Sequence, residues 1–82
     1  MSGLRDVTLR QLQLFDSAAR TLSFSRTSEL LHVTQPAVSM QMKQLEELAG
    51  IPLFDRIGRR VHLTQAGEAG LEGGLTVVVL PV

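Results

Sequence analysis

The chain has 82 residues, eight Lys and Arg against eight Asp and Glu, a formal net charge of zero and no cysteine. That length suits one small domain with a modest core, and the missing thiols exclude disulfides and thiolate metal sites, in keeping with a reducing cytoplasm. Neutral charge does not by itself point to nucleic acid, because phosphate contacts need cations, although all eight Lys and Arg fall within residues 5–60.

Thr8-Leu9-Arg10-Gln11 reads as a capping box, with Thr8 as N-cap and Gln11 returning to the cap amide. Leu9, Leu12, Phe15, Ala19 and Leu22 then recur at three- and four-residue steps, the apolar stripe of an amphipathic helix that should end near residues 21–23. A second helix is expected from Ser23 or Ser25 to Leu31, burying Phe24 and one of Leu30 or Leu31. It is too short to stand alone and must pack on its neighbours. His32-Val33-Thr34 makes a turn, with Val33 as its buried anchor and Thr34 as N-cap of a third helix. Pro36 falls in the first turn, where its missing N–H costs nothing. Val38, Met42, Leu45 and Ala49 form the inward stripe, Gln35, Pro36, Ser39, Met40 and Lys43 lie on another face, and Gly50 stops the helix in a left-handed cap.

The period then changes. Residues 53–57 and 61–64 form two short runs around Gly58-Arg59-Arg60, a β-hairpin with a basic tip. Thr64 caps a fourth helix, weakened by Gly67, Gly70, Gly73 and Gly74, each costing up to about 1 kcal/mol relative to alanine. The tail LTVVVLPV reads as extended or disordered. Its Val77–Leu80 run could pair as an exposed strand. At this length it is no membrane span, and the opening residues carry no signal-peptide pattern. The expected fold is mainly α: a winged helix-turn-helix with a three-helix core, a two-stranded hairpin wing and a truncated fourth (linker) helix. Residues 1–64 form the domain, 65–74 begin the linker helix and 75–82 are an atypical apolar tail.

This pattern suits double-stranded DNA. A helix entering the major groove needs side chains that pair with base edges and are short enough to let its backbone approach. Gln35 can engage adenine N6 and N7 together, and Ser39 can donate or accept at several bases. Pro36, Ala37 and Met40 can pack on a thymine methyl, and Lys43 can reach a phosphate. The Thr34 hydroxyl and the exposed amides beside it favour phosphate as well. Arg59 and Arg60 on the wing tip suit a narrow minor groove. Alone, Gln35 and Ser39 would be ordinary solvent-facing residues; their register between a short helix and a basic hairpin turns the reading toward DNA. Met40 fits a neutral surface residue as well as a base contact. His32 and His62 lack partners at metal spacing, and Glu46 and Glu47 have no companion nucleophile, so neither a cofactor nor an enzyme is expected.

Leu22-Ser23-Phe24-Ser25, the Thr34 to Ser39 block, Leu45-Glu46, Pro52-Leu53-Phe54 and Leu63-Thr64-Gln65-Ala66-Gly67 resemble the N-terminal domain of the LysR-type bacterial transcription regulators, from about residue 8 to 70. The opening Thr8 to Leu12, Met40-Gln41-Met42-Lys43 and Leu48-Ala49-Gly50 are similar to the branch regulating Calvin-cycle carbon-fixation operons. The resemblance implies sequence-specific binding to pseudo-palindromic operators with a T and an A at fixed spacing, in a cytoplasmic, nucleoid-associated setting. It makes Gln35, Pro36, Ser39 and Arg59 the matches to the family's usual DNA contacts. It also implies pairing through the helix after the wing, here Ala66, Ala69 and Leu71, and usually tetramers. With so little helix before the glycines, at best a weak homodimer is expected.

Four departures stand out. Thr27-Ser28 replaces a common pair of alanines, which the fold should accept if both hydroxyls bond back to their helix. Met40 stands where arginine is common, and Leu48-Ala49 where an acidic residue plus leucine is usual. Family members are also several times longer, with a C-terminal metabolite-sensing domain that these residues do not spell. Two other readings follow: an interaction module pairing with full-length relatives as heterodimers, or an inert fragment.

Overall fold

The computed structural model describes residues 7–57 and 60–72. Gly58, Arg59, Gly73, Gly74 and the expected tail lie outside the described residues. Helix α1 spans Leu9–Thr21 and opens with the expected capping box: Thr8 Oγ1 accepts from the Gln11 amide and Gln11 Oε1 from the Thr8 amide, each at 3.0 Å. Helix α2, Phe24–Leu31, starts from Ser23, whose Oγ accepts from the Arg26 amide at 3.0 Å. Helix α3, Gln35–Ala49, starts from Thr34, whose Oγ1 accepts from the Ala37 amide at 3.2 Å, and ends at Gly50 with φ +76°. At these boundaries the local chemistry of cap residues is enough to set the element.

Burial corrects the expected stripe of α1. Leu12, Phe15 and Ala19 are buried, but Leu9 is 52% and Leu22 44% exposed, while Gln11, Leu14 and Ala18 lie inside. Leu9 occupies the first turn, ahead of the packed face. Leu22 is the left-handed C-cap (φ 54°), so its side chain leaves the helical register. Leu14 and Ala18 are covered because α1 is the central helix, touching α2, α3 and α4. In α2 the buried residues are Phe24 and Thr27; Leu30 is exposed, and Leu31 and Val33 pack partly against the core. Thr27 is fully buried because its hydroxyl is satisfied, donating to the Ser23 carbonyl (2.9 Å) and lying 3.2 Å from Ser17 Oγ. Ser28 Oγ donates to the Ser25 carbonyl at 2.7 Å. Both hydroxyls therefore bond back to their helix, as the departure from alanine requires.

Strands β1 (Phe54–Ile57) and β2 (Arg60–Leu63) form an antiparallel hairpin with Phe54 opposite Leu63 and Ile57 opposite Arg60. The strands are shifted from the sequence expectation: Leu53 and Thr64 stand outside them, and Arg60 is already strand. Phe54 anchors the hairpin in the core, its ring edge-on to Phe15 (5.6 Å between centroids) and to Phe24 (5.4 Å). A single oxygen of Glu46, on α3, accepts from the Leu53 and Phe54 amides at 2.8 and 3.0 Å.

Helix α4, Gln65–Glu72, is capped by Thr64, whose hydroxyl accepts from the Gly67 amide (3.1 Å) and donates to the Pro52 carbonyl (2.7 Å). Gly67 is more than a helix weakener. A Cβ there would lie inside contact distance of the Leu53 carbonyl oxygen and 2.8 Å from Leu63 Cδ2. Only glycine lets α4 approach the base of the hairpin this closely.

Candidate nucleic-acid interface

Helix α3 carries Gln35, Ser39 and Lys43 at successive four-residue steps, so the three lie on one face. Gln35 and Lys43 are exposed and Ser39 is half-buried. Thr34 and Pro36 are exposed at the helix start, Ala37 is half-buried, and Met40 projects with 53% of its surface open. The opposite face, Val38, Met42 and Leu45, is buried in the core. One expectation narrows: Ala37 spends its amide on Thr34 and Pro36 has none, so among the described residues only Gln35 offers an open first-turn N–H.

Between this face, the start of α2 and the hairpin runs an open groove of about 380 Å³. Gln35 and Ser39 line one wall, Ser23, Phe24 and Ser25 another, and Arg56 and Arg60 a third. Among the described residues, no carboxylate lines it. A second groove of about 330 Å³ holds Lys43 together with Glu46, whose carboxylate is engaged by the Leu53 and Phe54 amides, and shares Phe24, Ser39 and Arg56 with the first. Zero net charge is thus compatible with a locally cationic surface, because positive groups are gathered here while Arg20 is paired to Asp16 (2.9 Å) on α1.

Arg60 sits in β2 beside the groove, and Arg59 lies outside the described residues. Arg56, close to these two in sequence, holds a place of its own. Its Nη2 donates to Ser39 Oγ at 2.8 Å, and its guanidinium lies 4.6 Å from the centroid of the Phe24 ring. The only sequence signal was a cation two residues after a core phenylalanine. Glu46, set aside as a catalytic carboxylate, holds the hairpin. His32 is the left-handed C-cap of α2, and His62 is exposed on β2. Of the residues expected to pair two copies, Ala69 is exposed, whereas Ala66 and Leu71 are half-buried against the chain's own core.

A short helix, a tight turn, a longer helix with a polar outer face and a hairpin beside it define a winged helix-turn-helix domain. Residues 9–68 match the bacterial regulatory helix-turn-helix proteins of the lysR family, and the chain belongs to that family. It is 53% identical over 67 residues to a RuBisCO operon transcriptional regulator of Acidithiobacillus ferrooxidans, covering 82% of this chain and 22% of that protein. It is 61% identical over 59 residues to the HTH-type transcriptional regulator CbbR of Rhodospirillum rubrum, covering 72% of this chain and 20% of the relative. The chain therefore spans about a fifth of the length of these relatives. Among solved structures, the CbnR_DBD–DNA complex superposes with a TM-score of 0.79 at 36% identity, covering 89% of this chain and 84% of that one. The likeness to the carbon-fixation branch, drawn above from short blocks of residues, agrees with these relatives.

Proposed function

We propose that this chain binds double-stranded DNA in a sequence-specific manner, as the reading domain of a transcription regulator. The observation that carries the reading is the convergence of Gln35, Ser39, Arg56 and Arg60 on one groove that no carboxylate lines among the described residues. In the proposed complex, α3 enters the major groove with Gln35 and Ser39 toward base edges, and Lys43 meets a phosphate. The hairpin lies against the adjacent backbone or minor groove, through Arg60 and Arg59. A Ser23 and Ser25 wall at the start of α2 adds small polar groups where a phosphate would pass. The relatives named for RuBisCO operons support carbon-fixation operons as targets. No catalysis belongs to this reading. Pairing of two copies through α4, with Ala69 outward, is part of the proposal, since a single half-site is a small interface.

The experiment is selection of bound duplexes from a random pool, beside Gln35→Ala and Arg60→Ala. Gln35→Ala should relax preference at one base position by roughly 1–3 kcal/mol. Arg60→Ala should weaken all sequences alike and flatten the salt dependence. Enrichment of no sequence by the folded chain at low salt would overturn the proposal and favour an interaction module.

A further inference from the structure

We propose that Arg56 sets the hydrogen-bond polarity of Ser39, so that the reading helix selects an acceptor on the facing base edge and disfavours the cytosine amino group. This rests on the reading of α3 as the major-groove helix.

A serine hydroxyl is ordinarily ambivalent. It has one hydrogen to give and two lone pairs to receive, and it rotates to suit its partner. Ser39 is not free in this way. Arg56, seventeen residues away in sequence, donates to its oxygen at 2.8 Å. A guanidinium offers only donors and keeps its charge at any working pH, so at this contact Ser39 must accept. The guanidinium is itself held, 4.6 Å from the centroid of Phe24, a buried ring set edge-on to Phe54. The guanidinium therefore meets the aromatic ring and the hydroxyl at once.

Two consequences follow for the hydroxyl. One lone pair is occupied, and the adjacent charge polarises the O–H, strengthening it as a donor and weakening the remaining lone pair as an acceptor. The usual internal outlet for that hydrogen is a carbonyl in the preceding turn. Ser28 uses this outlet on α2, through the Ser25 carbonyl at 2.7 Å. Among the described residues Ser39 shows no such bond, and its hydrogen remains available to the groove. In the major groove thymine O4, guanine O6 and N7, and adenine N7 accept, whereas cytosine N4 presents hydrogens. A thymine and a 5-methylcytosine place these opposite groups at the same point of the ring and share the C5 methyl, so the change between them is the sharpest probe.

The test uses the purified chain with Ser39→Ala, Arg56→Met and the double variant, on duplexes taken from the selection above. The pair facing Ser39 is the one whose preference Ser39→Ala flattens. Arg56 is exposed, and methionine keeps an apolar stem over Phe24, so the fold is retained. Fluorescence anisotropy across a salt series gives Kd for thymine and 5-methylcytosine at that position. The wild-type chain should favour thymine by roughly threefold to tenfold, the worth of one neutral hydrogen bond. Arg56→Met should bring the ratio to within about twofold, and the double variant should lower it no further than Ser39→Ala alone. If Arg56→Met weakens every duplex by one factor, lowers the salt slope and leaves the ratio intact, Arg56 is only a phosphate contact and the inference fails. It fails also if Ser39→Ala alters no preference while Gln35→Ala does, and the reading of α3 survives that outcome. If neither variant alters any preference, the reading of α3 falls first.

Discussion

Replacing Glu46 by alanine removes the fastening between α3 and the hairpin. One carboxylate oxygen takes both the Leu53 and Phe54 amides, at 2.8 and 3.0 Å, and those residues are only 3% and 8% exposed. A hydrogen bond to a charged group contributes about 1.5–3 kcal/mol net. Glu46 is itself half-exposed, and water can enter once the side chain is gone. Two such bonds would sum to about 3–6 kcal/mol, and both effects reduce that to about 2–4 kcal/mol. An 82-residue domain has about 4–12 kcal/mol in total, so roughly a third of the stability should go. At about 4–8 °C per kcal/mol, the melting temperature should fall by about 10 °C or more. Urea unfolding followed by far-UV circular dichroism measures the free-energy loss and a thermal melt the temperature shift, with Glu46→Gln alongside. The glutamine oxygen can still accept, and its loss should be about half as large. An alanine variant within about 0.5 kcal/mol of the parent, the scale of an ordinary surface change, would refute the idea that this carboxylate seats the hairpin.

Gly67→Ala should destabilise by about 1–3 kcal/mol, the scale of overpacking. The new Cβ meets the Leu53 backbone as well as Leu63, and the helix-propensity gain of up to about 1 kcal/mol does not offset a backbone clash. A thermal melt showing a more stable variant would mean α4 does not approach the hairpin as described. Thr27→Val keeps the shape but deletes the hydroxyl that serves the Ser23 carbonyl and Ser17. A loss of about 1–2 kcal/mol in urea unfolding is expected, with a smaller loss for Thr27→Ala, which regains helix propensity.

Local chemistry was legible in the sequence. Thr8 with Gln11, Ser23, Thr34 and Gly50 each announce a helix boundary through interactions spanning three or four residues, and all form. The fourth-helix cap at Thr64 belongs with them. Burial was less legible where it depends on how many neighbours a helix has. A single stripe describes a helix packed on one side, whereas α1 is enclosed by three helices, which draws Leu14, Ala18 and even Gln11 inward. Gln11 is affordable there because its carbonyl closes the cap and its amide reaches Gln44 at 3.4 Å. The face of α3 was readable from periodicity, yet the two side chains that tie it to the hairpin were not. Arg56 and Glu46 act across loops of several to many residues, and a charged residue carries no mark of its distant partner.

The joints on either side of α2 have a thermodynamic consequence. Leu22 and His32 both adopt left-handed backbone (φ 54° and 57°), and the amides of Leu22 and Val33 close onto Ala18 and Ser28 carbonyls at 2.8 and 3.0 Å. The helix-turn-helix is therefore a latched corner with no slack linker in it. Ordering entropy for α3 is spent when the chain folds, so DNA association need not include a local folding step. The heat-capacity change of binding should then follow the apolar area of the contact itself, without the larger increment of coupled folding.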